Sequence, residues 1–464
     1  MLRLFTNAIT LLILLYLYFY TNIEMNKVYL SFVLAIVCIP ILMFYSSNYI
    51  RKKLFVLSSV FVFGMCIVHF QAIFQYIFEI PFVSTFNVWV NTRIVAKSVV
   101  LSGIGITSFL MGHEFRKLLP NKQSVKQKKN SFNNLPTHYF AILTFIFFLI
   151  FLFTANPLYL AGYYGGVSLG TTATYFQLLV NIMFNVIFIA KFLKLKSSGK
   201  HISFVRYIKS FDIVTKLICV FYILTMLWIG DRGPIISILL LLIGVYSFNN
   251  PKWVKPGIAI SFVFIGIVSM SIIGKLRSTD PELSITERLS DVFNSESNSL
   301  NNTQELAGSI RTLHYAVDAV PEKHDYMYGR FQIQQIVTAV PGVGQFMNRF
   351  IDDRFQYKGS ASFITYLDQG ERPSYGLGTS IIADLYIDLG LVGVVFGLFF
   401  FGIISNLFEQ ILMAKNMTSL LLIIFAIVYF SKAIYLGRST VLLPFKEALW
   451  TYVAFRIFNH INNK

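Results

Sequence analysis

LRSTDPELSITERLSDVFNSESNSLNNTQELAGS, residues 276–309, opens a polar stretch that runs on to Leu377 inside an otherwise apolar chain. It sets nine hydrophobic segments apart from three more. Such a stretch cannot lie in hydrocarbon, where each unpaired backbone group costs several kcal/mol. It is expected to fold as a cap at the water interface, which points to chemistry done on one face of a membrane.

The surrounding sequence fits that solvent. Of 464 residues, 55% are hydrophobic and 13% charged, and the 47 Phe and a mean hydropathy of +0.64 exceed what a soluble domain carries. Apolar runs long enough to cross about 30 Å of hydrocarbon recur. The spacing predicts an all-α polytopic membrane protein of about 12 transmembrane helices with one large extracytoplasmic loop. Spans are expected at residues 4–20, 28–46, 54–74, 94–112, 138–156, 172–193, 211–229, 234–248, 257–274, 389–408, 419–437 and 440–458. The chain divides into residues 1–275 (helices one to nine), 276–377 (the loop) and 378–464 (the last three helices). Cys38, Cys66 and Cys219 all fall in apolar runs and offer neither a disulfide framework nor metal spacing. The first run follows Arg3 and has no small-residue cleavage site after it, so it reads as a retained span.

Twelve spans put both termini on one side. The basic loops fall on that same side: Arg51-Lys52-Lys53, the 113–137 segment with Arg116, Lys117, Lys122, Lys126, Lys128 and Lys129, five basic residues in 194–210, and Lys252 with Lys255. By the positive-inside rule that side is cytoplasmic. Residues 276–377 hold nine Lys/Arg against thirteen Asp/Glu, a net of −4, so of the chain's +17 the rest carries +21. It reads as a topogenic signal, with the basic loops free to touch anionic membrane lipids, and no nucleic acid is needed to explain it.

Four groups on the expected outer face bear chemistry. Gly230-Asp231-Arg232-Gly233-Pro234 is a tight turn that sets Arg232 at a helix N-terminus, where an anionic oxygen is favoured; the bland alternative is a snorkelling arginine paired with Asp231. Gly437-Arg438-Ser439-Thr440 is a second short turn with an arginine. Two planar, permanently charged forks on one face suit a diphosphate. The loop adds Arg277, Arg288, Arg311, Arg330, Arg349, Arg354 and Arg372, and a predicted helix sets Arg311 and His314 three apart on one face. His314 is a candidate acid or base, or a plain surface residue. Asp318, Glu322, Asp352 and Asp353 are further acids in the loop. Finally, in Gly376–Gly390, Thr379 or Ser380 reads as a helix N-cap. Asp384 and Asp388 share a face where the chain re-enters the membrane, which makes them functional candidates or partners of the outer arginines. Lys97, Lys191, Asp212, Lys216, Lys432, Lys446 and Glu447 fall within spans and are expected to pair or snorkel. No HExxH, CxxC, Walker A, GxSxG or outer-face DxD motif occurs, so no metal or cofactor is expected.

The chain resembles the Wzy-type O-antigen and capsule repeat-unit polymerases. The likeness rests on Gly230-Asp231-Arg232-Gly233-Pro234, the loop segment 310–329, Gly378–Gly390 with the following Leu391-Val392-Gly393, and Gly437-Arg438-Ser439. It implies a GT-C-like glycosyltransferase in the bacterial cytoplasmic membrane acting on undecaprenyl-diphosphate-linked oligosaccharides. The nascent chain passes from its lipid to the non-reducing end of a new unit, and undecaprenyl diphosphate leaves. A chain-length regulator and a flippase are the implied partners. On that expectation Arg232, Arg438, Arg311, Arg277 and Arg330 bind the diphosphate, and His314 or Asp384 serves the acceptor hydroxyl as base. A ligase-like transferase would share the architecture and differ in acceptor. A lipid-linked oligosaccharide flippase would show two similar halves and short loops, neither of which is evident.

Overall fold

The computed structural model describes residues 1–20, 24–47, 50, 53–82, 88–120, 137–161, 169–199, 201–250, 303–340, 343, 359–414 and 419–462. Outside these residues lie the expected span at 257–274, Arg277, Arg288, Arg349, Arg354, Asp352 and Asp353. So do Arg51, Lys52, Lys122, Lys126, Lys128, Lys129, Lys200, Lys252 and Lys255.

Among the described residues there are helices and no strands. In chain order they are α1 (Leu2–Tyr20), α2 (Lys27–Tyr45), α3 (Leu57–Ile77), α4 (Thr92–Arg116), α5 (Thr137–Thr154), α6 (Pro157–Leu160), α7 (Thr171–Ser198), α8 (Phe204–Lys209) and α9 (Ile213–Ile229). There follow α10 (Arg232–Asn249), α11 (Gln304–Ala307), α12 (Ile310–Ala319), α13 (Arg330–Val337), α14 (Ser360–Gln369), α15 (Ile381–Met413), α16 (Leu420–Ser431) and α17 (Leu443–Asn462). The starts obey local chemistry. Asn26 accepts the Val28 N–H at 2.8 Å and Asn91 the Arg93 N–H at 3.0 Å, so each caps its helix.

Among the described residues, eight helices are long and apolar enough to cross a membrane: α1, α2, α3, α4, α5, α7, α10 and α15. The expected spans at 211–229 and 419–437 correspond to the shorter apolar helices α9 and α16. The second of these differs in kind. α16 stops at Ser431, turns cover 432–435, and a 3-10 turn, Leu436–Arg438, follows. The span expected at 440–458 is α17, which carries Lys446, Glu447, Arg456 and His460.

Two compact units make up the chain. The first holds residues 1–122, 303–409 and 433–446. At its centre α4 is the most buried of the long helices. Its Gly103 leaves room for Val37 and Leu14, since a Cβ there would stand 2.6 and 3.2 Å from them. α4 and α15 press backbone to backbone. A Cβ on Gly112 would lie 1.9 Å from the Phe399 carbonyl oxygen, and one on Gly402 would lie 2.1 Å from that of Phe109. Small residues at such crossings let helices approach where no hydrophobic drive separates protein from lipid. The buried Glu409 of α15 accepts the Ser58 N–H at 2.8 Å and meets His113 Nε2 at 3.3 Å. It thus caps α3, whose own cap residue Val56 has no side-chain acceptor.

The second unit holds residues 123–302, 410–432 and 447–464. α5 lies along α7, and Tyr222 of α9 packs its ring against Phe148 and Phe184 at 5.0 and 5.2 Å. A Cβ on Gly244 of α10 would meet the Phe430 ring of α16 at 2.4 Å. The expected pairing of charges within spans is seen here. Lys432 lies 3.3 Å from Glu447, which also accepts the Asn185 amide at 2.6 Å.

Candidate active site

The site is assembled where the polar loop returns to the membrane-spanning part of the first unit. Gly378, at φ 79°, turns the chain into α15, and Ser380 caps it by accepting the Ala383 N–H at 3.3 Å. α15 is broken at Gly390 (φ 63°, ψ −153°), where a Cβ would sit 3.0 Å from the Tyr326 ring. The short piece before the break carries Asp384 and Asp388, both wholly buried.

These two carboxylates fasten the loop. Asp388 accepts the backbone N–H groups of Phe331 at 3.2 Å and Gln332 at 3.1 Å. They belong to the first turn of α13, whose cap position is Gly329 and has no side chain to offer. Asp384 accepts from the Ser360 hydroxyl at 2.5 Å and the Gln332 amide at 2.6 Å, and so ties α14 and α13 together. The expectation that these acids salt-bridge to outer arginines gives way to neutral donors, because the N-termini of α13 and α14 reach them first.

Arg311 is likewise committed. Its guanidinium meets Asp368 of α14 at 2.5 Å and the Tyr315 hydroxyl at 3.1 Å, while Tyr375 donates to Asp368 at 3.2 Å. His314, on the next turn of α12, is wholly buried and not a surface residue. Its Nδ1 lies 3.1 Å from the Val88 carbonyl and its ring 6.0 Å from that of Trp89. Burial pushes it down to about 4, against the pull of the Val88 carbonyl, so the imidazole is neutral at neutral pH. Asp318 stays below the usual carboxylate range: burial opposes this, but the Lys323 ammonium and the Asn91 amide outweigh it. Arg330 opens α13, half-buried.

Arg438 is set differently. A Cβ on Gly437 would stand 3.4 Å from the backbone of Gly64, and one on Gly64 would come within 2.4 Å of the Ile434 carbonyl oxygen. Gly64 lies thirteen residues before the end of α3, about 20 Å along the axis. The arginine therefore stands on irregular backbone against the middle of a membrane-spanning helix, a placement tolerated only where protein or a cavity surrounds it. Its side chain is 31% exposed and pairs with Glu305 of α11 at 3.5 Å. Next to it Thr440 donates to Gln335 of α13 at 2.5 Å, and that amide also faces Asp384.

A sequence model of the family described as O-antigen polysaccharide polymerase Wzy matches residues 4–458. The chain belongs to that family. It is thus a multi-pass membrane protein with the role of a repeat-unit polymerase. The match takes in the first half of the chain as well as the motifs that carry the resemblance. No curated protein and no solved structure matches the chain.

Within this polymerase the first unit gathers Arg311, His314, Arg330, Asp384 and Arg438, whereas Arg232 belongs to the second. There Gly230 (φ 78°) ends α9, and Asp231 caps α10 through the Gly233 N–H at 3.2 Å while accepting from Tyr159 at 3.1 Å. Both oxygens of Asp231, the alternative partner read for Arg232, accept hydrogen bonds in this way. Among the described residues no three His, Cys, Asp or Glu gather in a metal-holding group. Glu305, Gln332, Gln335, Ser360 and Asp368 escape sequence reasoning, since each is an ordinary polar residue in a polar stretch and acquires its part only through tertiary contact.

Proposed function

We propose that this polymerase joins oligosaccharide repeat units carried on undecaprenyl diphosphate, at the outer face of the cytoplasmic membrane with both termini inside. The observation that supports this most is the seat of Arg438, an always-charged fork held by tight backbone packing at mid-helix depth and still partly open. A diphosphate brought to this arginine would meet a fixed, permanently charged donor. Electrostatic stabilisation there exceeds that in bulk water.

In the reaction the acceptor hydroxyl oxygen bonds to the anomeric carbon of the donor sugar. The bond from that carbon to the diphosphate oxygen breaks, and its electron pair leaves with the diphosphate. Arg438 would take up the growing charge. Binding of the diphosphate would displace Glu305 from Arg438. The freed carboxylate, half exposed beside the reacting bond, would accept the hydroxyl proton. His314 and Asp384 present no open atom in this structure, so their part is to hold α12, α13 and α14 in place, with Arg311 bridging α12 to α14.

The test is a host lacking the gene, complemented with Arg438→Ala, its surface and lipid-linked glycans run on a gel. A single repeat unit in place of the ladder, with the protein at normal level in the membrane, is the expected result. A normal ladder would remove Arg438 from the chemistry. Full-length polymer stranded on the lipid carrier in the deletion strain would make the protein a ligase instead.

A further inference from the structure

A cavity of about 340 Å³ lies at the C-terminal end of α3, lined by Lys27, Gln75, Tyr76, Glu79, Phe82 and Trp89. That volume is at the small end of ligand pockets, which are mostly apolar with a few placed polar groups. Gln75 is the informative residue. It is wholly buried, yet among the described residues neither its amide oxygen nor its amide nitrogen has a hydrogen-bond partner. A buried amide left unmade on both atoms is costly unless something else fills it.

The walls say what that is. Tyr76 and Trp89 meet edge to face at 5.7 Å. Among the described lining residues the cation is Lys27, which is bonded to Glu79 and stands 5.8 Å over the Tyr76 ring. An anionic headgroup would find that charge already neutralised. A neutral ring with hydroxyls around its rim and C–H bonds on its face fits better. Its hydroxyls both donate and accept, as the Gln75 amide does, and its apolar face suits the aromatic walls.

We propose that this cavity seats one pyranose ring of the saccharide substrate, with Gln75 as its hydrogen-bonding anchor. The assignment rests on the polymerase reading, and α3 links the two places. Gly64, Val68, Ala72 and Gln75 recur at intervals that put them on one helix face. Gly64 carries the Arg438 turn, and Gln75 lies eleven residues on, about 16 Å along the axis. A diphosphate at Arg438 and a sugar ring at Gln75 would be bridged by a short oligosaccharide. The pocket wall is held by the loop, since α12 grips residues 88–91 through His314 to Val88 and Asp318 to Asn91 at 3.1 and 3.0 Å.

The test uses the full chain in nanodiscs and, as probe, the oligosaccharide freed by mild acid from the lipid-linked unit that a gene-deleted host accumulates. Saturation-transfer NMR measures binding to wild type, Gln75→Leu and Tyr76→Leu. Wild type should bind, and Gln75→Leu should bind about tenfold more weakly while melting no lower, since the change removes an unmade buried amide. Equal binding by both variants, or none by wild type, overturns the pocket. So does a phospholipid retained by wild type and lost from Gln75→Leu with no saccharide contact. The gel ladder is read separately: a gene-deleted host with an unchanged ladder would sink the polymerase reading even if the sugar bound.

Discussion

Asp388 accepts the backbone N–H of Gln332 at 3.1 Å and so caps a helix 56 residues away in sequence. Glu409, about six turns further along the same α15, does this for α3 through Ser58. In both cases the capped helix lacks a side chain of its own for the task, Gly329 and Val56 standing at the cap positions. α15 therefore organises the loop at one end and a membrane helix at the other.

Removing the Asp388 carboxylate leaves buried N–H groups at a helix start without an acceptor. Asp388→Ala is expected to destabilise by about 2 kcal/mol, and Asp388→Asn, which keeps one acceptor oxygen, by roughly half that. Thermal melts in detergent read the loss, and limited proteolysis should show cleavage within residues 303–377 first. Equal melting of both variants and wild type would mean that α13 is held elsewhere.

Much of this was legible in the sequence for a physical reason. Membrane spans announce themselves by composition, so α1 to α5, α7, α10 and α15 fall where hydropathy puts them. The start of α15 was legible too, because glycines followed by Ser380 form a local signal. What lay beyond local reading was depth and partnership. Arg438 reads as the tip of a hairpin, yet Gly64 and Gly437, 373 residues apart, bring its turn against the middle of α3. Nothing local distinguishes Gln332 or Ser360 as the partners of Asp384.

Arg438 should matter for chemistry and little for folding. Arg438→Ala is expected to reduce polymer formation about 10²- to 10³-fold, the usual cost of one transition-state donor, at unchanged membrane level. Arg438→Lys keeps the charge without the planar fork and should fall between. Lysine restoring the full ladder would show that charge alone suffices. Glu305→Gln separates the two partners: if Glu305 takes the proton, polymer is lost although the amide can still sit beside Arg438.

Gly390 marks the break in α15, and its φ of 63° favours glycine. Gly390→Ala would strain the backbone and push a methyl onto Tyr326, at an expected cost of about 1–3 kcal/mol. Adding Tyr326→Leu should recover the steric part and leave the backbone part. A double variant no more stable than the sum of the single changes would show that the ring contact is not the constraint.

His314 gives the fold an acid limit whose sign follows from its burial. The ring is pushed down to about 4 in the folded chain, against about 6.5 when unfolded. Above pH 6.5 both states are neutral and stability is undiminished. Between pH 6.5 and about 4 the unfolded chain takes up a proton that the folded chain refuses, so stability falls as pH falls, by about 3 kcal/mol in total. His314→Phe has no such proton to take up. Its melting temperature should therefore decline less than that of wild type across this window, even if it starts lower at pH 7.5 for want of the bond to Val88. Parallel melting curves from pH 7.5 to 4 would show that His314 does not set the acid limit and that its ring is open to protonation in the folded chain. A flatter curve for the variant would show that the histidine between Val88 and Trp89 is held neutral, as its enclosure requires.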